Sequence, residues 1–354
     1  MRILNVADFN WMTGAESDTA RLSLFDICRK FTHAATRADH LVVEFSDRAV
    51  ARGGAPLRLR SLGRAWANRR FLQVVDELKP DLILLHFADL IDNTALAEAR
   101  RLSPGVKIAD INIDPIWMPK NQKRLALRRG VADALFVTTA DPALGVYAGP
   151  GAFAAYLPNP VDPAVETGRV FESEEVATDL LFPCSDEAPR QVGGVEVMPS
   201  VATLNLKGAV PGLRLSTPGL CGQDEARGHA YFQALAGARM GWALSRRADQ
   251  PLYASDRMAH MFGWGLTVLL DRRAGFDRFY GPGEAVFYSD FDDLSRAVRR
   301  LIADDAGARA VAERGWRATW RQFHADRVLA YLLAQLFDDG GARGYEWPCD
   351  RWRS

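Results

Sequence analysis

Short apolar runs alternate with longer helical patterns along nearly the whole of this chain, and that alternation constrains the fold more than any other feature. It is the sequence form of strand–helix–strand units wound around a parallel sheet. A first series predicts strands at 3–6, 41–45, 82–87, 106–113 and 134–138. Several of them are almost continuously apolar, as strands are when helices cover both faces of a sheet. Helices are expected at 22–31 and 71–78, and Lys79-Pro80-Asp81 stops the second of these because proline cannot continue a helix.

The segment Leu157-Pro158-Asn159-Pro160-Val161-Asp162-Pro163 favours extended or turn backbone and reads as a hinge. Beyond it a second series predicts strands at 179–184, 213–217, 240–245, 266–271 and 285–288. The helix that follows, expected to be capped near Asp292, places Leu294, Ala297, Val298, Leu301 and Ile302 on one buried face. A last helix at 326–337 carries an apolar stripe too wide for an exposed tail, and Trp347 and Trp352 predict that the terminus docks. The fold class read from this pattern is α/β, two doubly wound Rossmann-like domains facing a cleft. Its divisions are 1–160, 161–325, and a segment 326–354 that crosses back to the first domain. The length of 354 residues suits two domains. Ligands of such sheets bind at the carboxyl ends of the strands.

Composition excludes several classes. Lys plus Arg and Asp plus Glu are each 44, which argues against a broad nucleic-acid or membrane-surface footprint. No apolar run reaches the roughly 18–20 residues that span a bilayer, since even 82–91 holds His86 and Asp89. Met1-Arg2 leads straight into an apolar strand with no export signal, so a cytoplasmic setting is expected. The four cysteines and six histidines are dispersed, so no disulfide framework, metal site or cofactor is expected.

The segment 240–271 is the richest in chemistry. A strand runs into a polar loop, Ser255 or Asp256 caps a helix, Gly265 ends it, and a new strand begins. Free amides at that helix start, joined by Arg257 in its first turn, can hold a phosphate or diphosphate; an ordinary capped helix with a surface arginine gives the same pattern.

Here the chain resembles glycosyltransferases of the GT-B fold, in the branch similar to the CgeB spore-maturation proteins. The family pattern is matched by Ser255, Arg257, Gly265, Asp271, Phe279, Gly283, Glu284, Asp293 and Leu294, and its terminal His-to-Arg pattern by His324 and Arg327. The match is specific over about residues 240–330 and looser before that. The resemblance implies transfer of a sugar from a nucleoside-diphosphate donor to a hydroxyl of a glycan, protein or lipid-linked acceptor, without a metal. It implies donor contacts from Ser255 and Arg257. The chain departs from the family at His260, where the family has a carboxylate that accepts from the donor ribose. A neutral imidazole can accept through one nitrogen, and His260→Glu is expected to keep or improve donor affinity; alternatively His260 packs on Trp264.

Other candidates keep two readings each. Arg190 pairs with the diphosphate or forms a surface salt bridge. Glu284 accepts from ribose hydroxyls or is a solvated turn carboxylate. Gly14 lets backbone approach a diphosphate, but lacks the spacing of a dinucleotide site. His86 and Asp114, at strand ends, serve as general base toward the acceptor, or are a core histidine and a turn former. Two rival functions remain: a nucleotide-sugar-binding protein without catalysis, and a sugar-nucleotide epimerase.

Overall fold

The apolar runs of the first series form one parallel sheet. In the computed structural model, which describes residues 1–9, 26–55, 59 and 61–354, its strands are β1 (Arg2–Ala7), β2 (Leu41–Ser46), β3 (Leu82–His86), β4 (Lys107–Asn112), β5 (Ala134–Val137) and β6 (Phe153–Tyr156). Their order is β2-β1-β3-β4-β5-β6, and every neighbouring pair is parallel. The sequence reading has no β6, because Phe-Ala-Ala-Tyr is short and alanine has weak strand preference. Helices α1 (Ile27–Arg37), α2 (Asp47–Gly53), α3 (Arg64–Leu78), α4 (Asn93–Leu102) and α5 (Pro119–Leu127) connect the strands. Positions 22–25 of the expected first helix lie outside the described residues.

Leu4, Val6, Ile83, Leu85 and Ile108 bury one face of this sheet together with Phe71 and Val75 of α3 and Leu96 of α4. Helix α3 starts seven residues before the expected position 71, because its first turns are buried through Ala67 and Asn68, which leave little apolar signal. Lys79 ends it in the left-handed region, φ 47°, with its N–H donating to Val75 O at 2.8 Å.

The second series builds a separate sheet. Here the elements are β7 (Thr178–Leu181), β8 (Arg190–Val192), β9 (Val195–Val197), α6 (Pro199–Ala209), β10 (Leu215–Ser216), α7 (His229–Ala236), β11 (Ala238–Trp242), α8 (Asp256–Gly263), β12 (Thr267–Asp271), β13 (Val286–Tyr288), α9 (Phe291–Ala303) and α10 (Asp305–Phe323). Strand order is β10-β7-β11-β12-β13, all parallel, while β8 and β9 form an antiparallel hairpin. The strand expected at 213–217 shrinks to an edge of two residues.

Two expectations for the helices are corrected. Asp290, not Asp292, caps α9, its side chain accepting from Asp293 N at 2.7 Å, and Ile302 is 41% exposed rather than part of the buried face. Helix α10 has no counterpart in the sequence reading. It buries Ala308, Ala312, Gly315 and Ala318, small residues that give no strong apolar periodicity. A Cβ at Gly315 would stand 2.2 Å from Glu284 O, so only glycine lets the helix pass there.

The chain divides into units of residues 1–158 with 325–354, and of residues 159–324. Helix α11 (Ala325–Phe337) packs in the first unit, where Tyr331 Oη donates to Tyr156 O at 2.9 Å and Arg37 Nε to Asp326 Oδ1 at 2.9 Å. Trp352 and Ala154 exchange two backbone hydrogen bonds of 2.8 Å, so the tail covers the free edge of β6. Trp347 is buried against Tyr331, ring centroids 5.5 Å apart. No helix among the described residues is long and apolar enough to cross a membrane.

Candidate functional site

Helix α8 and the hairpin meet the loops that leave the carboxyl ends of β7 and β11, and this is where the second unit gathers its polar side chains. Arg190 opens β8 and is only 4% exposed. Its Nη2 donates to Cys184 Sγ and to Asp186 Oδ1, each at 3.2 Å. Nε and Nη1 are buried and have no hydrogen-bond partner among the described residues. A buried guanidinium with two unmade hydrogen bonds is costly, and an acceptor beside it, whether a water or an anion, removes the cost. Asp186 also accepts from Arg246 Nη2 at 3.0 Å and from Ala188 N at 2.9 Å. Partial burial pushes its carboxyl up, but Arg190, the Ala188 amide and Arg246 together hold it below the ordinary range.

Ser255 stands at the N-cap position of α8 in extended backbone, yet its side chain makes no capping bond. Its Oγ accepts from Arg257 Nε at 3.1 Å instead. The amides of the first turn are thus left without a side-chain cap at the positive end of the helix. Arg257 also donates through Nη1 to Pro183 O and through Nη2 to Leu244 O at 3.3 Å. All three of its nitrogens are engaged, so Arg257 ties the loops after β7 and β11 to α8. Arg190 and Arg257 are anchored on consecutive residues, Cys184 and Pro183.

His260 is 2% exposed and its ring meets Tyr231 edge-on with centroids 5.8 Å apart, while the Trp264 ring stacks on Phe232 at 5.3 Å. Its Nδ1 lies 2.6 Å from Oε1 of the buried Glu166, whose Oε2 accepts from Asp162 N at 2.7 Å. With Glu166 ionised, Nδ1 carries the proton. Glu166 supplies, from a distant segment, a carboxylate beside position 260. No spacing rule links residues 94 apart in sequence, and the sequence reading has no place for it.

Glu284 is set apart from these groups. It precedes β13, at the amino end of the strands, and its Oε2 accepts from Gly281 N at 2.7 Å. At the carboxyl end of β12, Asp271 accepts from Gly193 N of the hairpin turn at 2.9 Å and from Arg273 Nη2 at 3.0 Å. The hairpin, Asp186 and Glu166 are the parts of this region that sequence reasoning misses.

In the first unit, Gly14 lies outside the described residues. His86 ends β3 and is 4% exposed, with neither ring nitrogen partnered among the described residues. Burial pulls its pKa down to about 3, so the ring is neutral near pH 7. Asp114 is half-exposed and accepts from Arg124 Nη1 at 3.1 Å. Asp110 on β4 is buried, and burial pushes its carboxyl up to about 7 against the opposing charge of Arg128. Among the described residues no group of three or more His, Cys, Asp or Glu side chains is placed to hold a metal ion.

A family model described as "Glycosyl transferase-like" matches residues 201–334. No curated protein matches the sequence. Among solved structures, HepE of Anabaena in complex with UDP is similar with a TM-score of 0.55 and 14% identity, over 95% of this chain and 100% of that one. AviGT4, a glycosyltransferase involved in avilamycin A biosynthesis, gives 0.57 and 14% over 94% and 96%. Sucrose-phosphate synthase from Thermosynechococcus elongatus gives 0.55 and 12% over 94% and 97%. The chain has the fold of the GT-B glycosyltransferases, α/β with doubly wound parallel sheets.

Proposed function

We propose that this chain is a glycosyltransferase of the CgeB-like branch that moves a hexosyl group from a nucleoside-diphosphate sugar to an acceptor hydroxyl of a glycan, protein or lipid-linked molecule. Residues 161–325 hold the donor and residues 1–160 receive the acceptor. The observation that carries the reading is Arg190, a buried guanidinium with Nε and Nη1 lacking partners. Beside it, α8 offers first-turn amides without a side-chain cap. Both supply fixed positive charge where a leaving diphosphate gains negative charge, and stabilisation of that kind lowers the barrier most where charge develops. Donors of this strength remove the need for a divalent ion, so activity is expected to survive excess EDTA. A loss restored by Mg²⁺ or Mn²⁺ would sink metal independence.

On the acceptor side Asp114 is the better placed base. It is half-exposed, whereas His86 is buried and held neutral with a pKa far below the range useful for proton abstraction. Arg257 has a supporting part, keeping the two loops around the diphosphate in register. A cytoplasmic setting accords with four free thiols, Cys28, Cys184, Cys221 and Cys349.

Calorimetry with UDP, GDP, dTDP and CDP tests the reading. One of them is expected to bind the wild type, and Arg190→Ala to weaken it by about 10–100-fold, the size of losing hydrogen bonds to a charged group. Equal affinity in both proteins would remove the phosphate role of Arg190. One observation favours a second reading, nucleotide-sugar binding without transfer: position 260 carries an imidazole already tied to Glu166. Tight donor binding with neither transfer nor donor hydrolysis would select it.

A further inference from the structure

A cavity of about 490 Å³ lies on the second unit beside the turn that Glu284 closes, and neither Arg190 nor Arg257 lines it. Its floor is the edge strand β13 with Ala285, Val286 and Phe287, and Val311 of α10 closes one side. The volume is that of an ordinary small-molecule site. Its lining comes from the segment that leaves β12, through Arg272 and Asp277, and from the turn that enters β13, and Arg190, Ser255 and Arg257 do not line it.

The rim is firmly built. The turn Gly281-Pro282-Gly283 forms one wall, and Glu284 Oε2 accepts from Gly281 N at 2.7 Å while Arg314 Nε donates to Gly283 O at 2.9 Å. Gly283 has φ +80°, a conformation that favours glycine. Two guanidinium groups reach the cavity. Arg272 lies 5.5 Å from the centre of the Phe287 ring and 3.5 Å from Asp277 Oδ2, both members of that pair being about half-exposed. Arg300, on the last turn of α9, has no ion pair or side-chain hydrogen bond among the described residues. The lining charges are thus two positive and one negative, with one arginine fork open.

We propose that this cavity is a second ligand site, taking a small phosphate monoester of monosaccharide size, with Arg300 as its bidentate partner and Arg272 as the second cation. A planar fork matches phosphate oxygens in pairs, and the apolar floor of Val286 and Phe287 suits the body of a sugar. The loose Arg272–Asp277 pair opens at little cost, since exposed ion pairs are weak. The inference does not depend on the transferase reading.

Phosphorus NMR and calorimetry with glucose 6-phosphate, on the full chain, test it. Saturable binding is expected in the wild type and in Arg190→Ala. Arg300→Ala, an exposed position that leaves the core intact, is expected to weaken it at least tenfold, with Arg272→Ala in the same direction. No saturable binding, or equal affinity in Arg300→Ala, would overturn the site. Loss in Arg190→Ala with retention in Arg300→Ala would move the phosphate to the carboxyl end of the sheet and also overturn it. Glucuronate binding as tightly as the phosphate ester would overturn the phosphate class.

Discussion

Glu166→Ala is expected to destabilise the second unit by about 3–5 kcal/mol, the sum of two buried donors left unsatisfied at about 1–3 kcal/mol each. Glu166 is buried with both oxygens engaged, one by His260 Nδ1 at 2.6 Å and one by Asp162 N at 2.7 Å. Alanine would leave the imidazole and the amide buried without partners and open a void beside Gly263, whose missing Cβ already gives the Glu166 side chain its space. The same geometry adds a stability cost to His260→Glu that the sequence-based expectation, which concerned donor affinity, does not contain. That change sets a second carboxylate against Glu166 inside the protein, and like charges without solvent repel strongly. A drop in stability comparable to that of Glu166→Ala is expected. Glu166→Gln combined with His260→Glu should recover part of it, because the amide can donate to the new carboxylate. Urea unfolding of the wild type, Glu166→Gln, His260→Glu and their double variant forms a double-mutant cycle, with Glu166→Ala measured beside it. A change under about 1 kcal/mol for Glu166→Ala would refute the account of the pair.

The second large effect is an opposed pair of pH dependences in the first unit. His86 has its folded pKa depressed to about 3 from 6.5. The unfolded state therefore binds more protons between those values, and the stability His86 contributes is full above pH 6.5 and lost as pH falls toward 3. Asp110 is raised to about 7 from 3.8. The folded state then binds the extra proton, so its contribution is full below pH 3.8 and lost as pH rises through 7. At about 1.4 kcal/mol per pKa unit each effect is on the order of 5 kcal/mol, and the two nearly cancel between pH 4 and 6.5. His86→Leu also removes two buried ring nitrogens that lack partners. It should stabilise the protein at neutral pH by about 1–3 kcal/mol and leave a variant that gains stability on acidification from pH 7 to 4. Asp110→Asn should do the reverse, losing stability as the pH falls below 6.5. Urea midpoints measured from pH 4 to 8 would settle this, and profiles parallel to the wild type would contradict it.

Much of the architecture was legible because it rests on local periodicity. Apolar runs such as Leu82-Ile83-Leu84-Leu85, short and bounded by a turn, read as strands covered on both faces, and Lys79-Pro80 marks a helix end through backbone sterics. The order of those pieces was enough to specify two doubly wound parallel sheets, and the resemblance carried by Ser255, Arg257 and Gly265 implied the GT-B form of that fold. Where burial falls on small residues, as along Ala308, Ala312, Gly315 and Ala318 of α10, hydropathy carries no signal and the helix became visible only when packed. The candidate site divided the same way. Sequence located the helix start at Ser255 and singled out Arg190, because caps and charges are properties of nearby residues. Which donors are engaged and which are open is decided by chain segments far apart: Pro183 and Leu244 occupy Arg257, Glu166 occupies His260, and Arg190 keeps two buried N–H groups without partners. Hydrogen-bond satisfaction and desolvation are sums over everything that packs around a group, so only the tertiary structure could fix them.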